Sequence, residues 1–199
     1  MKLFIFIDGS YLFKASNQNG FHYNIKELPN GLAKRLNYNF NLIKTYYYCS
    51  VPDPEYEDDI GKERARKQIL GLEQLKKIPL LDVRVFKLRY GMRTLRHKVT
   101  CTHCQNEFYL NDNVLTKREK GVDICIAVDM LSQAYNNAYD VALLLTGDSD
   151  FVPAIEKVKA LGKIVYCAAF QTPPFDKLAK ACDDYILLNN NIGGIYPRK

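Results

Sequence analysis

The chain has 199 residues, with 28 Lys and Arg against 22 Asp and Glu and a formal net charge of +6, a length that suits one domain. Hydrophobic residues at 47% and charged residues at 25% exclude a disordered, collagen-like or coiled-coil chain, and no apolar run approaches the ~20 residues that span a bilayer. The chain enters a strand-like run directly after Met1-Lys2, which leaves no room for a signal peptide and predicts a cytoplasmic protein without a membrane partner.

Leu3 to Ile7 is a continuous apolar run of strand length, and Asp8-Gly9-Ser10 leads into a helix start with Leu12, Phe13 and Ala15. Ile25, Leu28, Leu32 and Leu36 recur at steps of three and four, a helical face. Thr45 to Cys49 reads as a second strand. Ile69, Leu72 and Leu75 continue a helix that ends near Pro79, and Val83 to Leu88 reads as a third strand. Residues 89–120 break the rhythm and read as an inserted ribbon. Gly121 opens a helix whose expected buried face is Ile124, Val128, Leu131 and Tyr135. Val141 to Thr146 is the most apolar strand and is followed by Gly147-Asp148-Ser149-Asp150. A helix from Val152 to Leu161, a strand Ile164 to Cys167, a helix around Leu178 and a strand Tyr185 to Leu188 close the pattern. The expectation is one α/β domain over 1–188, with an insert at about 89–120 and a polar tail at 189–199 in which Gly193-Gly194 is flexible. Alternating strands and helices with apolar strands imply a three-layer, Rossmann-like parallel sheet with helices on both faces.

Two of these strands lead into aspartates. Asp8 follows the first directly, and Asp148 and Asp150 follow Thr146-Gly147. In such sheets ligands bind outside the carboxyl ends of the strands, where strand order reverses. If the two strands are neighbours, Asp8 and Asp148 meet at one mouth, and Asp123, in the first turn of its helix, can join them. Crowded carboxylates repel one another and call for hard cations such as Mg²⁺ or Mn²⁺, which favour oxygen ligands. Such ions activate water and neutralise charge on a phosphate under in-line attack. A carboxylate cluster without histidine therefore points to phosphodiester chemistry. Each acid also has a plainer role. Asp150, before Phe151-Val152, fits a helix N-cap, and Asp123 suits the positive end of a helix dipole. Asp129 lies about 240° around the helix from Asp123 and reads as structural.

From Arg84 to Lys120 there are nine bases and three acids, and nine minus three is the whole net charge of +6. Arg89, Arg93, Arg96, Lys98, Lys117, Arg118 and Lys120 lie in the ribbon, interleaved with Tyr90, Phe108 and Tyr109. A local excess of positive charge with aromatic neighbours is what binding of single-stranded RNA needs. The ribbon also carries Cys101-Thr102-His103-Cys104, flanked by His97. This is half of a structural zinc site, which needs four ligands. Either His97 or His103 completes the set with another group, or two chains share one zinc in a homodimer, or the pair serves redox chemistry, or the knuckle is inherited without its metal. The other cysteines are expected as reduced thiols.

The motifs Phe6-Ile7-Asp8-Gly9-Ser10, Lys120-Gly121-Val122-Asp123, Val128-Asp129-Met130-Leu131 and Leu145-Thr146-Gly147-Asp148-Ser149-Asp150-Phe151 together resemble the NYN domain family, in particular its bacterial LabA-like branch. The resemblance implies a PIN-like fold and a metal-dependent ribonuclease site. It assigns Asp8, Asp123 and Asp148 as metal-binding and catalytic, Asp150 as a fourth acid, and Mg²⁺ or Mn²⁺ as the cofactor. Many members carry Asn three residues after the first Asp, and here that place is Tyr11. A tyrosine cannot replace the paired donor and acceptor of an amide, although the Ser10 hydroxyl offers partial compensation. The alternative expectation is therefore an RNA-binding or regulatory module with a degenerate nuclease site.

Overall fold

Lys2–Asp8 forms strand β1, buried on both faces along almost its whole length, which is why it reads as an unbroken apolar run rather than an alternation. The computed structural model describes residues 1–36, 40–170 and 175–198. In chain order the further strands are β2 (Phe21–Tyr23), β3 (Asn41–Val51), β4 (Leu81–Lys87), β5 (Arg89–Thr100), β6 (Glu107–Arg118), β7 (Val141–Leu145), β8 (Ile164–Ala169), β9 (Asp184–Leu187) and β10 (Ile195–Pro197). The helices are α1 (Gly9–Gln18), α2 (Leu28–Arg35), α3 (Asp59–Leu75), α4 (Val122–Tyr135), α5 (Val152–Ala160) and α6 (Phe175–Ala181).

Six parallel strands make the central sheet in the order β4-β3-β1-β7-β8-β9. The chain winds outward from β1 through β3 to β4 and, on the other side, from β7 through β8 to β9. Strand order therefore reverses between β1 and β7. Side-chain alternation along β1 feeds two cores. Leu3, Ile5 and Ile7 pack with Leu12, Leu28, Leu32 and Leu72 beneath α1, α2 and α3. Phe4 and Phe6 pack with Ile126, Met130, Ile155 and Leu178 beneath α4, α5 and α6. This is the expected three-layer sheet with helices on both faces.

Helix α4 turns a different side inward from the one the spacing predicts. Val122, Ile126, Met130 and Ala134 are buried, while Ile124, Val128 and Tyr135 are 71%, 52% and 80% exposed. Both stripes recur at helical steps of three or four, so periodicity alone cannot choose between them, and packing against Phe4, Phe6 and Tyr139 decides. Among the described residues no helix is long and apolar enough to cross a membrane.

The C-terminal stretch, read above as a polar tail, returns to the body. β10 pairs antiparallel with β2, and Ile192 and Ile195 join the first core. Gly193 is tied down rather than a flexible joint: a Cβ added at Gly31 would lie 2.0 Å from its carbonyl oxygen. Gly194 has φ +89 against the backbone of Leu28, a conformation that favours glycine. Lys199, the last residue of that stretch, lies outside the described residues.

β5 and β6 form the inserted ribbon, an antiparallel hairpin in register from Arg89 opposite Arg118 to Thr100 opposite Glu107. Twelve residues per strand extend it about 40 Å. Its root is held to the loop after β3. The Tyr90 hydroxyl donates to Glu57 Oε1 at 2.6 Å, and its ring stacks on Tyr56 at 4.5 Å between centroids.

Candidate active site

β1 and β7 are parallel neighbours, with Ile7 opposite Leu145, so the residues that follow them emerge side by side where strand order reverses. Thr146 Oγ1 donates to Asp8 Oδ2 at 3.1 Å. Asp8 also caps α1, its Oδ1 accepting the Tyr11 N–H at 2.9 Å. Asp148 follows through Gly147, which sits so close to the Tyr11 ring that a Cβ there would lie 2.4 Å from Cε2. Asp148 Oδ1 accepts the Asp150 N–H at 2.9 Å and caps the turn Ser149–Phe151. The cap expected of Asp150 therefore belongs to Asp148, because the chain makes a short 3-10 turn before α5 begins at Val152. Asp123 stands in the first turn of α4, entered through Gly121 at φ +87.

Asp8, Asp123 and Asp148 line one cavity of about 570 Å³. Two further charged groups complete it, and the motifs did not mark either. Glu119, just before α4, accepts a hydrogen bond from the Ser10 hydroxyl, and Lys14 of α1 projects to the same wall. The signal for Lys14 was its place four residues after Ser10 on α1, which puts both on one face. The signal for Glu119 was its position four residues before Asp123. Asp150 is exposed and does not line the cavity, although its charge is felt at Asp123.

Burial dominates the electrostatics of Asp8, which is 6% exposed. Desolvation pushes its carboxyl up to about 6, against the two hydrogen bonds it accepts, and the charges of Asp123 and Glu119 add to the rise. Asp123 is raised as well, first by desolvation and then by Asp148, Glu119 and Asp150, with Lys14 opposing. Four carboxylates without histidine or thiolate are the donor set of a hard dication. Among the described residues no three such side chains converge closely enough to cage a bare ion, so an ion here would keep water ligands.

The Tyr11 ring lines the cavity while its hydroxyl is engaged beyond it, and Asp129 lies elsewhere. The Tyr11 hydroxyl accepts the Phe170 N–H at 2.9 Å and donates to the Phe170 carbonyl at 3.3 Å, tying α1 to the end of β8. Asp129 accepts the Tyr48 hydroxyl at 2.8 Å and lies 4.0 Å from Arg84, outside the acidic cavity and in the structural role expected of it.

The ribbon divides its bases between two faces. On one face Lys98 pairs with Glu107, Lys117 with Glu57 at 2.6 Å, and Arg96 lies 4.1 Å over the Tyr109 ring. Arg89, Arg93 and Arg118 lie on the other face by strand alternation. No carboxylate among the described residues lies within ion-pair distance of these three or of Lys120. Arg89 directly opposes Arg118, a like-charge pair that destabilises a hairpin unless an anion sits between them. Arg89 and Lys120 also line a cavity at the ribbon root.

Cys101 and Cys104 sit at the ribbon tip with free thiols. The N–H groups of Cys104 and His103 point at the Cys101 sulfur and hold its thiol below the ordinary value. His97 turns away from them: its Nε2 lies 3.3 Å from Asp112 Oδ2, and four residues of strand separate it from Cys101 by about 13 Å. His103 is exposed within the turn.

The NYN domain family model matches residues 2–189. The low amplitude and bright protein LabA of Synechococcus elongatus is 28% identical over 191 residues, which cover 95% of this chain and 84% of that protein. Among solved structures, a protein of unknown function from Vibrio parahaemolyticus superposes with a TM-score of 0.56 at 14% identity, covering 96% of this chain and 95% of that one. This last likeness concerns the fold.

Proposed function

The chain belongs to the NYN domain family, which includes nucleases, and from that premise we propose that it is a metal-dependent ribonuclease acting on single-stranded RNA in its acidic cavity. The observation that carries this reading is the crowding of Asp8, Glu119, Asp123 and Asp148 around one space, with Asp8 and Asp123 both raised. Mg²⁺ or Mn²⁺ fits that donor set and would supply an activated water and relief of the developing negative charge.

The chain's own residues do the rest. Asp8 and Asp148 from the strand ends and Asp123 from α4 hold the cation, with Asp150 at the rim. The Ser10 hydroxyl fixes Glu119 beside them. Lys14 offers a positive group to a phosphate entering the cavity. Arg89, Arg93, Arg118 and Lys120 attract the RNA backbone. Any structural zinc belongs at the ribbon tip, held by Cys101 and Cys104 and by the same pair from a second copy, because among the described residues no third side chain joins them in a metal-holding group.

A second reading, an RNA-binding or regulatory module that does not cut, is favoured by Tyr11, whose hydroxyl is committed to the Phe170 backbone and offers the cavity no amide. Labelled single-stranded RNA incubated with Mn²⁺, Mg²⁺ or EDTA separates the two. The nuclease reading expects metal-dependent cleavage that falls by about 100-fold or more in Asp148→Asn, a loss typical of removing a group that stabilises charge in the transition state. Asn retains the cap, so folding is not the cause. Binding without cleavage, unchanged in the variant, would establish the second reading.

A further inference from the structure

A cavity of about 600 Å³ lies beside the acidic one and shares Ser10 and Lys14 with it. Its walls are mostly apolar. Tyr47 of β3 and Tyr23 of β2 line it, Leu72 of α3 closes one side, and Phe13 of α1, 59% exposed, stands at the mouth. The polar side of the lining is carried by Gln68, whose amide donates to the Ser50 backbone carbonyl at 3.2 Å.

Aromatic walls with a few fixed polar groups suit a flat heterocycle with hydrogen-bonding edges. The neighbouring carboxylates and Lys14 suit the phosphate to which such a ring is attached. We propose that this cavity is a nucleobase subsite. It takes the base of the nucleotide next to the scissile phosphate against the Tyr47 and Phe13 side chains, and Lys14, which reaches both cavities, holds the phosphate between them. The proposal rests on the nuclease reading and adds a reason for single-strand selectivity, since a base must leave its stack and its partner to enter.

Gly71 gives a test that leaves the carboxylates untouched. It lines this cavity and not the acidic one, and a Cβ there meets nothing within 4 Å, so Gly71→Leu fills the space without a clash. Isothermal titration with Mn²⁺ present compares the four nucleoside 5′-monophosphates with ribose 5-phosphate, which lacks a base. The full chain should bind at least one nucleotide 10-fold or more tightly than ribose 5-phosphate, and Gly71→Leu should erase that preference. Phe13→Ala, which strips the exposed aromatic wall at the mouth, should weaken the preferred nucleotide several-fold and leave ribose 5-phosphate unchanged. Equal affinity for nucleotides and the bare sugar phosphate, or a preference that survives Gly71→Leu, overturns the proposal. Binding is measured without turnover, so a base preference in a protein that cuts no RNA would keep the subsite and remove the nuclease. Cleavage without a base preference would do the reverse.

Discussion

Asp8 does two jobs that pull against each other. It caps α1 and accepts from Thr146, yet burial raises its carboxyl from 3.8 to about 6. Below 3.8 both the folded and unfolded states hold the proton, and the position is neutral for stability. Between 3.8 and about 6 the folded state holds it more tightly, so stability falls as pH climbs. Above that window a penalty of roughly 3 kcal/mol remains. Asp8→Asn keeps an N-cap side chain and removes the charge. In metal-free buffer it should therefore melt roughly 5–10 °C above the parent at pH 8, with the difference vanishing near pH 4, while cleavage is lost. Thermal melts across that range check this, and a variant that melts lower at pH 8 would contradict it. The same penalty makes cation binding strengthen as pH rises through about 6.

At the scale of elements, the ribbon's two faces predict different salt behaviour. Replacing Arg89, Arg93 and Arg118 by serine should lower the slope of log K against log salt for single-stranded RNA by up to about 2, given ~0.7 per phosphate contact. Replacing Lys98 and Lys117, already engaged by Glu107 and Glu57, should change it by less than half as much. Fluorescence anisotropy over a salt series measures both, and equal changes would refute the division. The central strands and most helices were legible because a parallel sheet writes itself as apolar runs between helical periods. The buried side of α4 was not, because that helix is apolar on both sides. β2 and β10 were not, because three-residue strands carry no period and their pairing joins residues more than 170 positions apart. Asp8 and Asp148 were legible from their places after strands, whereas Glu119 was hidden inside a basic segment where one acid looked like charge balance.

At the scale of the whole molecule, the proposed zinc site at the ribbon tip has only Cys101 and Cys104 from one chain. If two copies complete it, reduced protein titrated with Zn²⁺ should take up one ion per two chains and move to dimer mass in multi-angle light scattering, and Cys101→Ser should abolish both. One zinc per monomer without dimerisation would show that a single chain completes the set. The pairing of β1 with β7 has a consequence in time as well. Asp8 and Asp148 are 140 residues apart, and ribosomes add about 5–20 residues per second. For roughly 7–30 s a growing polypeptide displays the first acid without the second. If the acidic cavity is a nuclease site, it stays incomplete for at least that part of the chain's synthesis.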